Sequence, residues 1–167
     1  MAVSKIVKVG FVKVGNIGSA PLLEFLLDER AERQGIQVRV VSSGAKMTSE
    51  DASEVALNVV DFGPNFALVV SPNASLPGPS KARSILKESK IPTIVVSDGP
   101  AKKAVKQFEE DGFGYLIIEA DSMIGARREF LDPVEMALFN ADLMKVLSVT
   151  GIFNVLCSAM DEVIADC

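Results

Sequence analysis

The chain has 167 residues, 49% of them hydrophobic, and a mean hydropathy of +0.31, so a single domain with a sizeable core is expected and disorder is not. A net charge of −5 speaks against nucleic acid, which asks for a basic footprint, and no apolar run nears the roughly 18 residues of a membrane span. Histidine is absent, which removes imidazole acid–base chemistry, His-based triads and His-metal sites together.

Cys157 and Cys167 have no metal-ligand spacing and read as a buried thiol and a terminal bystander, so no metal is expected. The first residues lack the apolar block and cleavage site of a signal peptide, and a cytoplasmic protein is the plain reading.

Along the chain, apolar runs alternate with helix-like segments. Residues 6–14 form the first strand candidate. A helix follows from near Ser19, with Pro21 in its opening turn, Leu22, Leu23, Leu26 and Leu27 on its buried face and a stop at Gly35. Residues 36–41 alternate partly, which suits a strand near an edge. A second helix takes Thr48 as N-cap with Asp51 three residues on, and ends by Gly63-Pro64. Residues 66–71 and 93–97 are continuous apolar runs, the pattern of strands covered on both faces. Helices are expected from about 80 to 89 and from 100 to about 111, and a fifth strand at 115–119.

Strands and helices in this alternation mean β-α-β units with right-handed crossovers, hence an α/β, doubly wound, mostly parallel five-stranded sheet with helices on both faces. C-terminal helices follow. Asp132-Pro133-Val134-Glu135 combines an N-cap, a proline at the first helical position and a reciprocal acid, opening a helix to about Val149. After a break at Thr150-Gly151, a second amphipathic stretch carries Ile152, Leu156, Ala159, Met160 and Val163. The first of these helices is apolar around much of its girth, which calls for another layer, either a further segment or a partner subunit. The expected division is an α/β domain over 1–130 and a helical segment over 131–167.

In an open parallel sheet, ligands bind beyond the carboxyl ends of the strands. The loops there, at 15–19, 42–46, 72–79, 98–100 and 120–128, form the candidate site. Gly15-Asn16-Ile17-Gly18-Ser19 lets backbone pass close to a ligand, yet it is neither a dinucleotide fingerprint nor a Walker loop, and a bare strand-to-helix turn explains it equally well. The stretch from Pro72 to Pro79 holds three prolines and is long for such a connection, which favours binding. Lys81 and Arg83 sit at a helix start, where the dipole opposes cations, so an anionic ligand gives them a purpose that plain solvation does not. Asp98-Gly99-Pro100 reads first as a cap. Arg127-Arg128, beside Gly125 and Glu129, is an anion contact, an interface or a surface ion-pair cluster. Lys46, Lys81, Arg83, Arg127 and Arg128 together give one edge of an acidic protein a basic character, as an anionic small molecule requires.

Val14-Gly15-Asn16-Ile17-Gly18, Leu26-Leu27-Asp28-Glu29-Arg30-Ala31, Pro77-Gly78-Pro79-Ser80-Lys81-Ala82-Arg83 and the long block from Gly125 through Asp132-Pro133-Val134-Glu135 to Leu147 resemble coenzyme F420-dependent methylenetetrahydromethanopterin dehydrogenase, in order over essentially the whole chain. The resemblance implies reversible hydride transfer between reduced coenzyme F420, a deazaflavin co-substrate, and methenyl-tetrahydromethanopterin. The product is methylene-tetrahydromethanopterin, in archaeal one-carbon metabolism and methanogenesis. It also implies a homo-oligomer built from dimers, no metal, and family chains that continue past the position of Cys167.

Direct hydride transfer needs alignment of two rings and no obligatory acid or base, so no catalytic residue is assigned. The strand-end loops and the resemblance together give Gly15, Asn16, Ile17, Gly18, Asn73, Ser97 and Asp98 to the coenzyme. Lys81, Arg83, Asp121, Arg127 and Arg128 go to the pterin substrate, with Asp98 or Asp121 as the carboxylate near its cationic ring. The rival reading is a non-catalytic nucleotide- or pterin-binding assembly module.

Overall fold

The computed structural model describes residues 6–119 and 132–167. β1 (Val7–Lys13), β3 (Phe66–Ser71) and β4 (Thr93–Ser97) are its apolar centre, and β3 is buried at every position. They sit inside a five-stranded sheet of order β2-β1-β3-β4-β5, parallel at every pairing, with β2 (Ile36–Ser42) and β5 (Gly114–Ile117) as its edges. The partial alternation of β2 is that of an edge strand, with Gln37, Arg39 and Val40 exposed. Chain order reverses between β1 and β3, the kind of point where such sheets bind ligands. Register brings the carboxyl ends level: Lys13 lies opposite Ser42 and Val70, and Ser97 opposite Ser71 and Ile117.

Both faces are covered, as continuous apolar strands demand. On one, α1 (Ala20–Ala31) lays Leu22, Leu23, Leu26 and Leu27 against Phe11, Phe66 and Leu68. α5 (Pro133–Val149) and α6 (Ile152–Asp166) add Leu143, Leu147, Leu156 and Met160 to that same core. Each such side chain fully buried contributes about 1.5–3 kcal/mol. Arg30 ties α1 to α6, donating through Nε and Nη2 to the two carboxylate oxygens of Asp161, each at 2.8 Å. On the other face, α2 (Ser49–Phe62) and α3 (Pro77–Glu88) pack on Val12, Ala67 and Val69, while α4 (Val105–Glu110) packs Phe108 with Val95.

Several boundaries differ from the sequence expectation. α3 begins at Pro77, three residues before the expected start at 80, because a proline at the first helical position gives up an N–H that no helix bond would use. The loop after β3 is therefore only residues 72–76. The segment expected as one helix from 100 opens as a 3₁₀ helix, Gly99–Ala104, before α4. Ser19 adopts helical backbone (φ −78°, ψ −14°), and its side chain does not cap α1. Cys157 is half-buried. At α5 the expected box is complete: Asp132 Oδ1 accepts from the Glu135 amide at 2.8 Å, and Glu135 Oε2 accepts from the Asp132 amide at 3.4 Å. The apolar girth of α5 leaves Val134 66% and Leu138 63% exposed. Among the described residues no single helix is long and apolar enough to cross a membrane.

Candidate functional site

Three loops interlock at the carboxyl edge. Gly15 has φ +82°, and a Cβ there would stand 2.7 Å from both Cγ and Sδ of Met47. Gly78, in the first turn of α3, leaves no room either, since its Cβ would fall 2.2 Å from the Met47 carbonyl oxygen. Both positions are glycine because the loop after β2 passes between the turn after β1 and the start of α3. The Gly15 amide is already engaged, donating to Ser43 Oγ at 3.3 Å, and the Ser43 hydroxyl reaches the Lys46 carbonyl at 2.6 Å. Ile17 (5% exposed) is an anchor in the core, with Gly18 buried beside it, while Asn16 stands at the surface.

The loop after β3 is ordered by its own side chains. Asn73 Oδ1 accepts from the Ser75 amide at 3.1 Å and from its hydroxyl at 2.6 Å, an Asx turn; among the described residues the Asn73 amide nitrogen has no partner. Ser97 Oγ donates to the Ser71 carbonyl at 2.7 Å and accepts from the Ala74 amide at 3.0 Å, so Ser97 braces the loop to the ends of β3 and β4. Asp98, 2% exposed, accepts the Gly99 amide at 2.6 Å through Oδ1. Beyond it, Lys102 and Glu119 pair at 2.6 Å across the ends of β4 and β5.

The electrostatics of this edge are unusual in one respect. Three buried side-chain oxygens have no hydrogen-bond partner among the described residues: Ser19 Oγ, Ser71 Oγ and Asp98 Oδ2. One follows β1, one ends β3 and one follows β4, so all lie at the carboxyl edge of the three adjacent central strands. An unmade buried hydrogen bond costs about 1–3 kcal/mol, and folded proteins tolerate few. Among the described residues no group of His, Cys, Asp and Glu could hold a metal ion.

The basic character expected of this edge is redistributed. Lys46 pairs with Asp51 at 3.7 Å, and Lys81 is exposed on α3. Arg83 corrects the expectation of a cation open to substrate: only 5% exposed, it stacks on Phe108 with its guanidinium carbon 4.7 Å from the ring centroid. Burial pushes its pKa down to about 10, against the opposing pull of the Asp111 charge. It also borders a groove between α3 and α4, lined with Ser80, Lys87, Gln107 and Asp111. Asp121, Arg127 and Arg128 lie outside the described residues.

Ser71 and Met47 carry no site expectation from sequence, and Ser19 and Gly78, inside the expected loops 15–19 and 72–79, were given no role of their own. Two of these left a signal. A glycine inside a helix's first turn is a poor helix former and points to close approach, and a buried strand that closes on serine, as β3 and β4 both do, points to a polar floor.

Comparison with known proteins decides the family. A family model described as methylene-5,6,7,8-tetrahydromethanopterin dehydrogenase matches residues 7–167. The chain belongs to the methylenetetrahydromethanopterin dehydrogenase family. F420-dependent methylenetetrahydromethanopterin dehydrogenase of Archaeoglobus fulgidus is 60% identical over 161 residues, 96% of this chain and 58% of the relative. The enzyme of Methanocaldococcus jannaschii is 49% identical over 160 residues, 95% of this chain and 58% of its own. A solved structure of an F420-dependent methylene-tetrahydromethanopterin dehydrogenase, in complex with methylene-tetrahydromethanopterin and coenzyme F420, superposes with a TM-score of 0.87 at 46% identity. It is covered over 59% of its length, and this chain over 97%. The chain thus spans somewhat over half the length of the dehydrogenases it matches.

Proposed function

We propose that this chain is the coenzyme-binding part of an F420-dependent methylenetetrahydromethanopterin dehydrogenase, with the carboxyl edge of its sheet as the ligand site. The observation that carries the reading is the family match over residues 7–167, joined to a structural relative whose complex holds both coenzyme F420 and methylene-tetrahydromethanopterin. The residues present fit such a ligand. Among the described residues Ser19, Ser71 and Asp98 each keep one buried oxygen without a hydrogen-bond partner, Asn73 lies half-buried in the loop after β3, and Gly15 admits backbone where a side chain would clash.

The coenzyme, when bound, supplies a hydride donor and acceptor, and the protein need not supply an acid or base. The chain's own task is then to position and to exclude water. The turn 15–19 with Asn73 and Asp98 forms one wall, Ser97 holds that wall together from behind, and Lys81 draws an anionic tail from solution. Asp121, Arg127 and Arg128 are assigned to the pterin. The Asp98 carboxylate, buried and half-satisfied, also favours a ligand ring carrying positive charge. A cytoplasmic homo-oligomer belongs to the same reading, with the exposed apolar side chains of α5, Val134, Leu138 and Val149, as its supporting surface.

The test is anaerobic. Protein, reduced coenzyme F420 and methenyl-tetrahydromethanopterin are mixed and coenzyme oxidation followed, with NADPH in parallel and coenzyme binding titrated by fluorescence. Saturable F420 binding, with turnover that NADPH does not support, is expected. Absence of F420 binding contradicts the reading.

A further inference from the structure

Arg83 is a buried cation that makes no ion pair among the described residues, although an apolar side chain of its size would suit α3's packing face. Its guanidinium faces two partners. One is the aromatic pair Phe108 and Phe113, at 4.7 and 6.0 Å from the ring centroids. The other is the carbonyl of Ala74, to which Nη1 donates at 2.5 Å. Ala74 is fully buried and is held again from the opposite side, where its amide donates to Ser97 Oγ at 3.0 Å and Ser97 Oγ donates to the Ser71 carbonyl at 2.7 Å. A continuous buried chain of hydrogen bonds therefore runs from α3 through the loop after β3 to the ends of β4 and β3. Its middle residue sits next to Asn73.

We propose that Arg83 is a positioning residue for the strand-end site. By fixing the Ala74 carbonyl it fixes the plane of the Ala74–Ser75 peptide, and with the Ser97 clamp it presets the loop that presents Asn73. The proposal rests on the coenzyme reading of that edge. Arginine suits the place because one delocalised group lies over Phe108, its Cζ 4.7 Å from the ring centroid, while its Nη1 donates to a carbonyl. A lysine ammonium is a compact, strongly hydrated point charge that does the second without the first. A loop held from both sides loses little entropy when a ligand arrives, which is why the buried charge is worth keeping.

The test uses Arg83→Met, which keeps bulk without the donor, Arg83→Lys, which keeps a donor without the plane, and Ser97→Ala, which opens the clamp from the other side. Hydrogen exchange reads the Ala74 amide, fluorescence titration reads F420 affinity, and thermal unfolding reads stability. In Arg83→Met, exchange at Ala74 rises and F420 affinity falls by about tenfold, the scale of a mis-set positioning group. Arg83→Lys recovers part of both losses. Arg83→Met combined with Ser97→Ala weakens binding no more than the worse single variant, because both release the same loop. Unchanged Ala74 exchange, unchanged F420 affinity, or losses that simply add overturns the proposal. If Arg83→Met fails to fold, Arg83→Lys and Ser97→Ala carry the same comparison. Wild-type protein that binds no F420 overturns the coenzyme reading instead, and Ala74 exchange then decides on its own whether Arg83 sets the loop.

Discussion

Replacing Gly15 with alanine attacks the point where the loops interlock, and the structure separates its cost into two parts. The backbone there has φ +82°, a conformation that costs an L side chain about 1–2 kcal/mol. The new Cβ also stands 2.7 Å from Met47 Cγ and Sδ and 3.4 Å from Pro72 Cδ. Overpacking of this kind costs about 1–3 kcal/mol, and the half-buried, flexible Met47 thioether keeps it near the low end. The sum is about 2–3 kcal/mol, a large share of the roughly 5–15 kcal/mol of a domain. With a urea slope of about 1–3 kcal/mol/M, the unfolding midpoint falls by about 0.7–3 M. Adding Met47→Ala removes the steric part and leaves the backbone part, so the double-mutant cycle shows a coupling of about 1 kcal/mol. A midpoint unchanged in Gly15→Ala refutes the reasoning outright. A normal loss with no recovery in the double variant refutes the steric half.

Ser71→Ala removes a buried hydroxyl that has no partner among the described residues; thermal unfolding shows a gain of about 1 kcal/mol while F420 titration shows weaker binding. Asp132→Ala deletes the capping box of α5 and lowers the urea midpoint by an amount worth about 1 kcal/mol. Asp161→Asn removes the charge and one of the two acceptor oxygens that Arg30 uses, bonds that hold the Asp161 carboxyl below the usual carboxylate range. A depressed folded pKa contributes stability above the unfolded value of about 4 and loses it as pH falls through the folded one. The wild-type advantage in urea titrations is therefore present at pH 7 and vanishes in strong acid. Its size is held to about 0.5–1 kcal/mol because the Asp161 side chain is 43% exposed.

The architecture was legible wherever one physical constraint dominated a segment. The unbroken apolar runs of β3 and β4, the partial alternation of β2, and Asp132-Pro133 with Glu135 each admit few structures, and each formed as expected. Boundaries near proline were less legible. Pro77 and Pro79 read as loop from composition, but position decides what a proline does, and at the start of α3 both are compatible with helix. Arg83 shows a different limit. Its place near a helix start suggested a cation held out toward a ligand, yet its side chain turns inward to Phe108, from α4, and Ala74, from the loop after β3. Such a contact has no local sequence signature. The oxygens of Ser19, Ser71 and Asp98 that have no partner among the described residues belong to the same class, since serine and aspartate near strand ends are ordinary until they are buried.

The central claim is that F420 binds at the carboxyl edge of the sheet, and amide chemical-shift mapping of the labelled chain during F420 titration tests it directly. The account predicts saturable shifts concentrated at residues 15–19, 72–76 and 97–99, with the groove beside Lys87 and Asp111 unmoved. Shifts confined to that groove, or none at saturating coenzyme, contradict it.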